Sequence, residues 1–365
     1  MADIILFGCG ALGSRLLRAL ENDYGIVRVV GAVDHAPSKA GKTLGEVCGS
    51  KRFADVAIFP DLPGCLGQLG RKPDALVHMT ESKPAAIEGQ IMAAIDAGLN
   101  VVSAAESMFY PWLRFPEFSA RLDARAREKG VTVTGAGINP GFSYDSIPLL
   151  LARATSAVTA VTINRTIDVT GTGPGDIEHV GYGLTPEAFR AGVARGDIVG
   201  HMGAPESLAL MGEYLGIELD EVHERWELET ADFPVDSGDE MLGILPPGRV
   251  VGIRQHAEAH RGGAIVMRTC LSMYYQPERF GLTESDEIEI EGAMPVRLRI
   301  APALQSLFGA ANVVASTIVP AVRMTPGLHV VLEMPMIGPR AGFRHGVDAG
   351  REMKPGFVPL RAIRD

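Results

Sequence analysis

The chain is poor in cysteine, short of positive charge and without any long apolar run, and each shortage excludes something. Its four cysteines, Cys9, Cys48, Cys65 and Cys270, include no C-x-x-C pair, so neither a zinc ribbon nor a thioredoxin-type motif is supported. Thiols so widely scattered read as the reduced cysteines of a cytoplasmic protein. Lysine and arginine number 34 against 44 acids, a net charge of −10, which leaves no basic footprint for nucleic acid. No stretch approaches the roughly 20 apolar residues of a membrane helix. The opening "MADIILFGCG" carries an acid where a signal peptide needs basic residues, and glycine interrupts its apolar run. Internal repeats and low-complexity tracts are missing as well. A small anionic ligand is still allowed, because a few backbone N–H groups suffice to hold a phosphate.

What is present is core-forming material. A hydrophobic content of 46% with 21% charge over 365 residues allows sizeable cores, and the length suggests two domains, or one domain with a large insertion. "DIILFG" (3–8), "VRVVGAVD" (27–34), "DALVHMT" (74–80), "VVSAAE" (101–106) and "VTVTGAGI" (131–138) read as buried parallel strands. Helical stretches alternate with them. "GSRLLRALEN" sets Leu12, Leu16, Leu17 and Leu20 on one side. "PAAIEGQIMAAIDAGLN" (84–100) has proline in its first turn and glycine near its end. "FPEFSARLDARAREKG" (115–130) closes on glycine. The alternation predicts an α/β fold, a Rossmann doubly wound parallel sheet over 1–145.

From about residue 157 the apolar period becomes two, in "AVTINRTIDV", "RVVGIRQHAEAH", "AIVMRTCLSMYY", "DEIEIEG" and "PVRLRI", with helical inserts "TPEAFRAGVARG" (185–196) and "APESLALMGEYLG" (204–216). This predicts a second α+β domain over 146–307, built on an open mixed or antiparallel sheet. "GAANVVASTIVPAVRMTPGLH" (309–329) has helical spacing, with Pro320 expected to kink or end it. A helix within 308–330 is expected to return to the first domain. The tail, 331–365, is rich in Gly, Pro and Arg and reads as irregular.

"GCGALG" (8–13) matches G-x-G-x-x-G between a predicted strand and a predicted helix. In that context Gly8 permits the tight turn, Gly10 lets the backbone approach a pyrophosphate, and Gly13 lets the helix pack close to the strand. Ala11 and Leu12 then stand at the positive end of the helix, under the phosphates. A mere glycine turn is the bland alternative. Asp34 ends the second strand and can accept hydrogen bonds from an adenosine ribose, which favours NAD. Lys39 could screen a 2′-phosphate, although a solvated loop lysine is its plainer reading, so NAD and NADP both stay open. Thr80 and Glu81 follow a strand and are expected beside the nicotinamide ribose or pyrophosphate.

In open α/β sheets ligands bind beyond the carboxyl ends of the strands. Glu106, in "VVSAAESMFYPW" (101–112), stands at such an end and reads as a proton-transfer group rather than a loop charge. Burial among Met108, Phe109, Tyr110 and Trp112 would raise its pKa toward the working range. Met108 and Tyr110 are also candidates for a substrate wall, with simple core as the alternative. "GAGINPGFSYD" (135–145) makes a rigid, closely approached turn. Within it Asn139 could face nicotinamide or substrate or steady the turn, Phe142 could line the pocket, and Asp145 should cap the next helix. His179 and Tyr182, in "EHVGYG" (178–183), are candidates for a lid, and Arg165 for a substrate carboxylate. His256 and His260 share a strand face without chelating spacing, so no metal site is supported.

"GAGINPGF" followed by an acid, taken with "VVSAAESMFYPW", "EHVGYGLTPEAF", "GDIVGHMGAPESLALM", "VVGIRQ" and "NVVASTIVPAVRMTPGL", resembles the 2,4-diaminopentanoate dehydrogenases and the related native amine dehydrogenases, which share a dihydrodipicolinate reductase-like architecture. The resemblance spans most of the chain except the tail. It implies NAD(P)-dependent oxidative deamination of a small amine, diamine or amino acid, or the reverse amination of a carbonyl compound with ammonia. It also implies that Glu106 handles the proton and the attacking water or ammonia. Where the family often has two adjacent acids, this chain has Glu106 and then Ser107. "RTIDVTGTGPGD" is less basic than its family counterpart. Two other readings stand beside this one: an imine or carbonyl reductase of the dihydrodipicolinate type, for which no His-His-x-x-Lys-type loop is present, and a non-catalytic dinucleotide-binding sensor. The open second sheet needs cover, so a homodimer is expected.

Overall fold

The computed structural model describes residues 1–22, 26–171, 177 and 180–335. Its first part alternates β1 (Ala2–Phe7), α1 (Ala11–Asn22), β2 (Val27–Val33), α2 (Leu44–Cys48), β3 (Ile58–Phe59), α3 (Leu62–Leu69), β4 (Ala75–His78), α4 (Pro84–Asp96), β5 (Asn100–Ser103), α5 (Pro116–Lys129) and β6 (Thr132–Gly135). Helix entries follow local chemistry: Thr43 forms a capping box with Glu46, Asp61 caps α3, and prolines open α4 and α5. The strands lie parallel in the order β3-β2-β1-β4-β5-β6, and a seventh strand from the far end of the chain extends the sheet beyond β6. Strand order reverses between β1 and β4. That switch point opens a crevice at their carboxyl ends, where ligands bind in such sheets.

The chain leaves this sheet through α6 (Ser146–Ala152). It then forms β7 (Ala160–Asp168), α7 (Pro186–Arg195), α8 (Ala204–Leu215), β8 (Glu221–Thr230), β9 (Val235–Asp236), β10 (Ile244–Leu245), β11 (Val250–Arg261), β12 (Ala264–Tyr274), β13 (Ser285–Glu291) and β14 (Val296–Ile300). Six of these strands build a second sheet in the order β14-β13-β7-β12-β11-β8, antiparallel except for the β7–β12 pair. The expected mixed sheet is therefore present. One face packs Ile163, Ile253, Ala257, Leu271 and Met273 against Leu208 and Met211 of α8. The other is polar and laced with ion pairs such as Arg299–Glu287 and Arg225–Glu258. β8 lacked any apolar run in the sequence; it is an edge strand whose half-buried residues alternate with exposed ones, so its inward side needs only Val222, Trp226 and Leu228.

α9 (Ser306–Val322) returns to the first sheet, packing on α1 and β5 with Ala311, Val314, Ala315 and Ile318 buried. It runs two residues past Pro320. It does not continue to residue 329 as its spacing suggested: β15 (Gly327–Val330) pairs parallel with β6. Four residues that bury Leu328 and Val330 are too few to show a period of their own. No helix among the described residues is long and apolar enough to cross a membrane. Residues 336–365 of the expected tail lie outside the described residues.

Arg165 corrects one expectation. It is 1% exposed on β7, pairs with Asp286 of β13, and donates to the Leu304 carbonyl and to Ser306 Oγ at 3.2 Å. Asp286 in turn accepts from Leu304 N at 2.7 Å. The guanidinium thus ties the second sheet to the start of α9 and lies out of reach of a substrate carboxylate. Arg165→Met should leave Asp286 buried without its cation and cost about 3–5 kcal/mol, read as a lower urea midpoint. The double variant Arg165→Met with Asp286→Leu should recover most of that loss.

Candidate active site

The glycine loop is built from close approaches. Gly8 has φ +105°, and a Cβ there would collide with the Met79 backbone. A Cβ on Gly13 would overlap the Gly8 carbonyl, whereas one on Gly10 would meet nothing within 4 Å. Gly10 is thus the open side of the turn, where a pyrophosphate could reach the N–H groups of Ala11 and Leu12 at the start of α1. Past the end of β2, Asp34 accepts from Cys9 N, Ala36 N and Lys39 Nζ, each at 2.9 Å. Burial works to raise the Asp34 pKa, but Lys39 and the two backbone N–H groups outweigh it and the net shift is downward. Lys39 is therefore the ion-pair partner of Asp34, not the free loop lysine of the plainer reading. The residues fit a dinucleotide: an open glycine turn, a helix N-terminus and an ionised acceptor stand in the expected order.

At the end of β4, His78 is wholly buried. Its ring meets Ser103 Oγ at 2.9 Å, Gln90 Oε1 at 2.9 Å and Thr80 Oγ1 at 2.7 Å. Burial lowers its pKa to about 4, so the imidazole is neutral at pH 7. Ser103 also accepts from Ala105 N at 3.1 Å. One network thus steadies the floor under both the Thr80–Glu81 loop and Glu106. Thr80 and Glu81 themselves are exposed at the crevice mouth. His78 was not singled out from the sequence; its one signal is a histidine inside an otherwise apolar strand.

β5 stops at Ser103, and Glu106 opens a single turn of 3-10 helix, Glu106–Met108. Its backbone N–H donates to Ser82 Oγ at 3.2 Å. The side chain, 22% exposed, reaches across to the loop before α8: Oε2 accepts from Met202 N at 3.2 Å and Oε1 lies 3.2 Å from His201 Nε2. That loop is squeezed from both sides. A Cβ on Gly203 would overlap the Pro140 ring, and one on Gly200 would lie 2.8 Å from both Gln255 Oε1 and Trp226 Nε1. His201 was missed by the sequence reading. Its available signal was a histidine between two glycines in "GHMG".

In the 135–145 turn, Asn139 is 7% exposed and lies near the buried Tyr144. Asp145 caps α6 through Ser146 N at 2.6 Å, and also accepts from Gly141 N and from Ser207 Oγ of α8, both at 2.9 Å. Phe142 is half-buried beside them. The other candidates go elsewhere. Met108 is 0% exposed within the apolar cluster that holds Ile87, Phe118 and Val133; it is core, not pocket wall. Tyr182 is buried in the second core against Tyr275, ring centroids 5.1 Å apart. Tyr110 donates to Glu213 of α8 at 2.6 Å; burial and then that carboxylate push its phenol pKa up. His179 lies outside the described residues. Arg114 adds a further tie, to Glu206 at 2.7 Å and Glu224 at 3.4 Å. Among the described residues no group of three or more His, Cys, Asp or Glu could hold a metal ion. A surface hollow of about 600 Å³ lies away from the crevice, against Phe233 and Phe280, so strand-end geometry and not concavity locates this site.

The model of the 2,4-diaminopentanoate dehydrogenase C-terminal domain matches residues 142–345. The chain is 25% identical over 339 residues to the 2,4-diaminopentanoate dehydrogenase of Acetoanaerobium sticklandii, covering 93% of this chain and 94% of that one. It is 25% identical over 240 residues to an amine dehydrogenase of Streptomyces virginiae, covering 64% and 65% of the two chains. The solved structure of the amine dehydrogenase from Mycobacterium smegmatis superposes with a TM-score of 0.79 at 25% identity, covering 92% of this chain and 96% of that one.

The buried His78 gives a pH test. Its folded pKa, about 4, lies below the unfolded value of about 6.5. Between those values the unfolded chain takes up a proton that the folded one refuses, so stability falls as pH drops from about 6.5 to 4, by up to about 3 kcal/mol. Urea unfolding at pH 7 and pH 4.5 should show the loss, and His78→Gln should flatten that limb.

Proposed function

Since the chain belongs to the 2,4-diaminopentanoate dehydrogenase C-terminal domain family, we propose that it is an NAD(P)-dependent amine dehydrogenase. It oxidises a small amine, diamine or amino acid to the carbonyl compound and ammonia, or runs the reverse amination. The observation that carries this reading is Glu106, a partly exposed carboxylate past the end of β5, hydrogen-bonded through its N–H to the loop that follows β4. When bound, the dinucleotide supplies the hydride acceptor. Loss of hydride from the amine-bearing carbon leaves an iminium, to which water must add. Glu106 takes one proton of that water and returns it to the nitrogen that leaves as ammonia, the two-way traffic expected of a general acid–base group, and the remaining hydroxyl proton goes to solvent as the carbonyl forms. The glycine loop and α1 hold the pyrophosphate. Asn139 and Phe142, beside the 135–145 turn, border the substrate.

Asp34 and Lys39 suit either form of the cofactor, the carboxylate toward a ribose diol and the ammonium toward a 2′-phosphate. The polar, ion-paired face of the second sheet is read as the homodimer contact. All four cysteines are free, in keeping with a reducing cytoplasm.

The test is reduced-nicotinamide absorbance at alkaline pH, with NAD or NADP and a panel of short amines, diamines and amino acids. Turnover with at least one amine is expected. Glu106→Gln should bind dinucleotide as the wild type does while kcat falls by roughly 10²–10⁴-fold; near-wild-type turnover in that variant would remove Glu106 from the mechanism. Lys39→Ala should weaken NADP relative to NAD by about tenfold, the worth of one hydrogen bond to a charged group; equal losses for both would take Lys39 out of cofactor choice.

A further inference from the structure

We propose that Glu106 and His201 form a pair holding one transferable proton, and that Gln255 is the positioning residue that keeps the imidazole on the carboxylate. The proposal rests on the dehydrogenase reading for its use, but not for its test.

His201 Nε2 lies 3.2 Å from Glu106 Oε1, and its Nδ1 lies 3.1 Å from the Met202 carbonyl oxygen. Both oxygens are acceptors when Glu106 is ionised. A neutral imidazole carries one N–H and can serve only one of them. Two arrangements satisfy both contacts. Either the ring is doubly protonated against a carboxylate, or Glu106 carries the proton and donates it to Nε2 while Nδ1–H serves Met202. The two differ only in where one proton sits. Without that proton, two acceptors face each other, so the geometry holds it in place.

Gln255 makes the geometry rigid. It is 2% exposed, and its amide grips the His201 main chain at both ends: Oε1 accepts from His201 N at 2.9 Å and Nε2 donates to His201 O at 2.7 Å. Its second N–H goes to Glu224 Oε1 at 3.2 Å. A neutral side chain with an adjacent donor and acceptor is what a two-point backbone clamp requires. Among the described residues, the charged groups that this network reaches are Glu106, then Glu224 behind Gln255, and Arg114 and Glu206 beyond it.

Deamination gives such a pair its use. The substrate amine must shed a proton before it releases hydride. Water adding to the iminium gives another to Glu106, the departing nitrogen takes that one back, and the hydroxyl releases its own to solvent as the carbonyl forms. A lone carboxylate that accepts from water and then donates to nitrogen must change charge twice in place. Where His201 holds the pair's proton, Glu106 starts as the carboxylate that accepts, and the imidazolium stabilises that carboxylate as it re-forms, so His201 acts through Glu106.

The deciding experiment is imidazole ¹⁵N NMR of the full-length protein across pH, with His201→Asn identifying the resonance. In the wild type His201 should stay doubly protonated to a pH higher by about one unit or more than in Glu106→Gln, the effect of one close carboxylate. Gln255→Ala should narrow that difference. In kinetics, His201→Asn should lower kcat about tenfold with KM little changed and should move a limb of the kcat–pH profile. An identical His201 titration in wild type and Glu106→Gln overturns the pair, whatever the turnover. Should Gln255→Ala fail to fold, the other two variants still decide. An amine panel without turnover, beside a His201 titration coupled to Glu106, would sink the dehydrogenase reading and leave the pair standing. Amine turnover with an uncoupled His201 and an unmoved pH profile would do the reverse.

Discussion

One buried carboxylate, Asp145, sits where the first sheet hands the chain to the second. It is fully enclosed, and among the described residues no cation pairs with it; it accepts from Gly141 N, from Ser146 N and Oγ, and from Ser207 Oγ. Burial pushes its pKa up while these donors pull it back, and the interior polar group is matched in the way buried groups must be. The donors come from three places, the turn after β6, the first residue of α6, and α8. Holding those three together sets the start of α8, and with it the loop of Gly200 to Gly203, against Pro140. The position of His201 opposite Glu106 follows from that.

The junction between the two sheets combines a small apolar cluster, Phe109 and Val330 against Leu210, with directional polar contacts. Glu106 meets Met202 N and His201, Tyr110 meets Glu213, and Arg114 spans Glu206 and Glu224. Partly exposed ion pairs contribute little to stability individually, but each fixes a distance and an orientation. An active site assembled from two sheets needs that kind of restraint more than it needs extra burial. The large apolar clusters instead stay within each half, with Ile4, Leu6 and Val77 in one and Ile253, Leu271 and Met273 in the other.

The crevice also separates its titratable groups by environment. His78 is walled off and kept neutral, so it works as a hydrogen-bonding post beneath the loops. Asp34 is kept ionised by Lys39 and two backbone N–H groups, so it can hold a polar partner without changing charge. Glu106 alone of these three reaches across to the second half of the molecule. Different surroundings thus give neighbouring titratable groups different charge states at one pH.

What local chemistry can encode was already written in the order of the residues. "GCGALG" after an apolar run allows only glycine-built approaches, the runs of the first part could be buried only as parallel strands, and a glutamate just past the end of one such strand could only stand at the ligand edge of the sheet. The period-two stretches likewise required a sheet with one wet face. What the sequence left open depended on residues far apart along the chain. β8 and β15 are legible only once β11 and β6 offer them an edge. Arg165 looked available until Asp286, 121 residues on, claimed it. Met108 and Tyr182 were candidates for a pocket until apolar neighbours and an adjacent ring enclosed them. His201 became a partner of Glu106 only when Gln255 and the Asn139–Pro140 turn pressed its loop into place. Periodicity and turn chemistry act over a few residues, and the pairing of distant side chains is decided by packing alone.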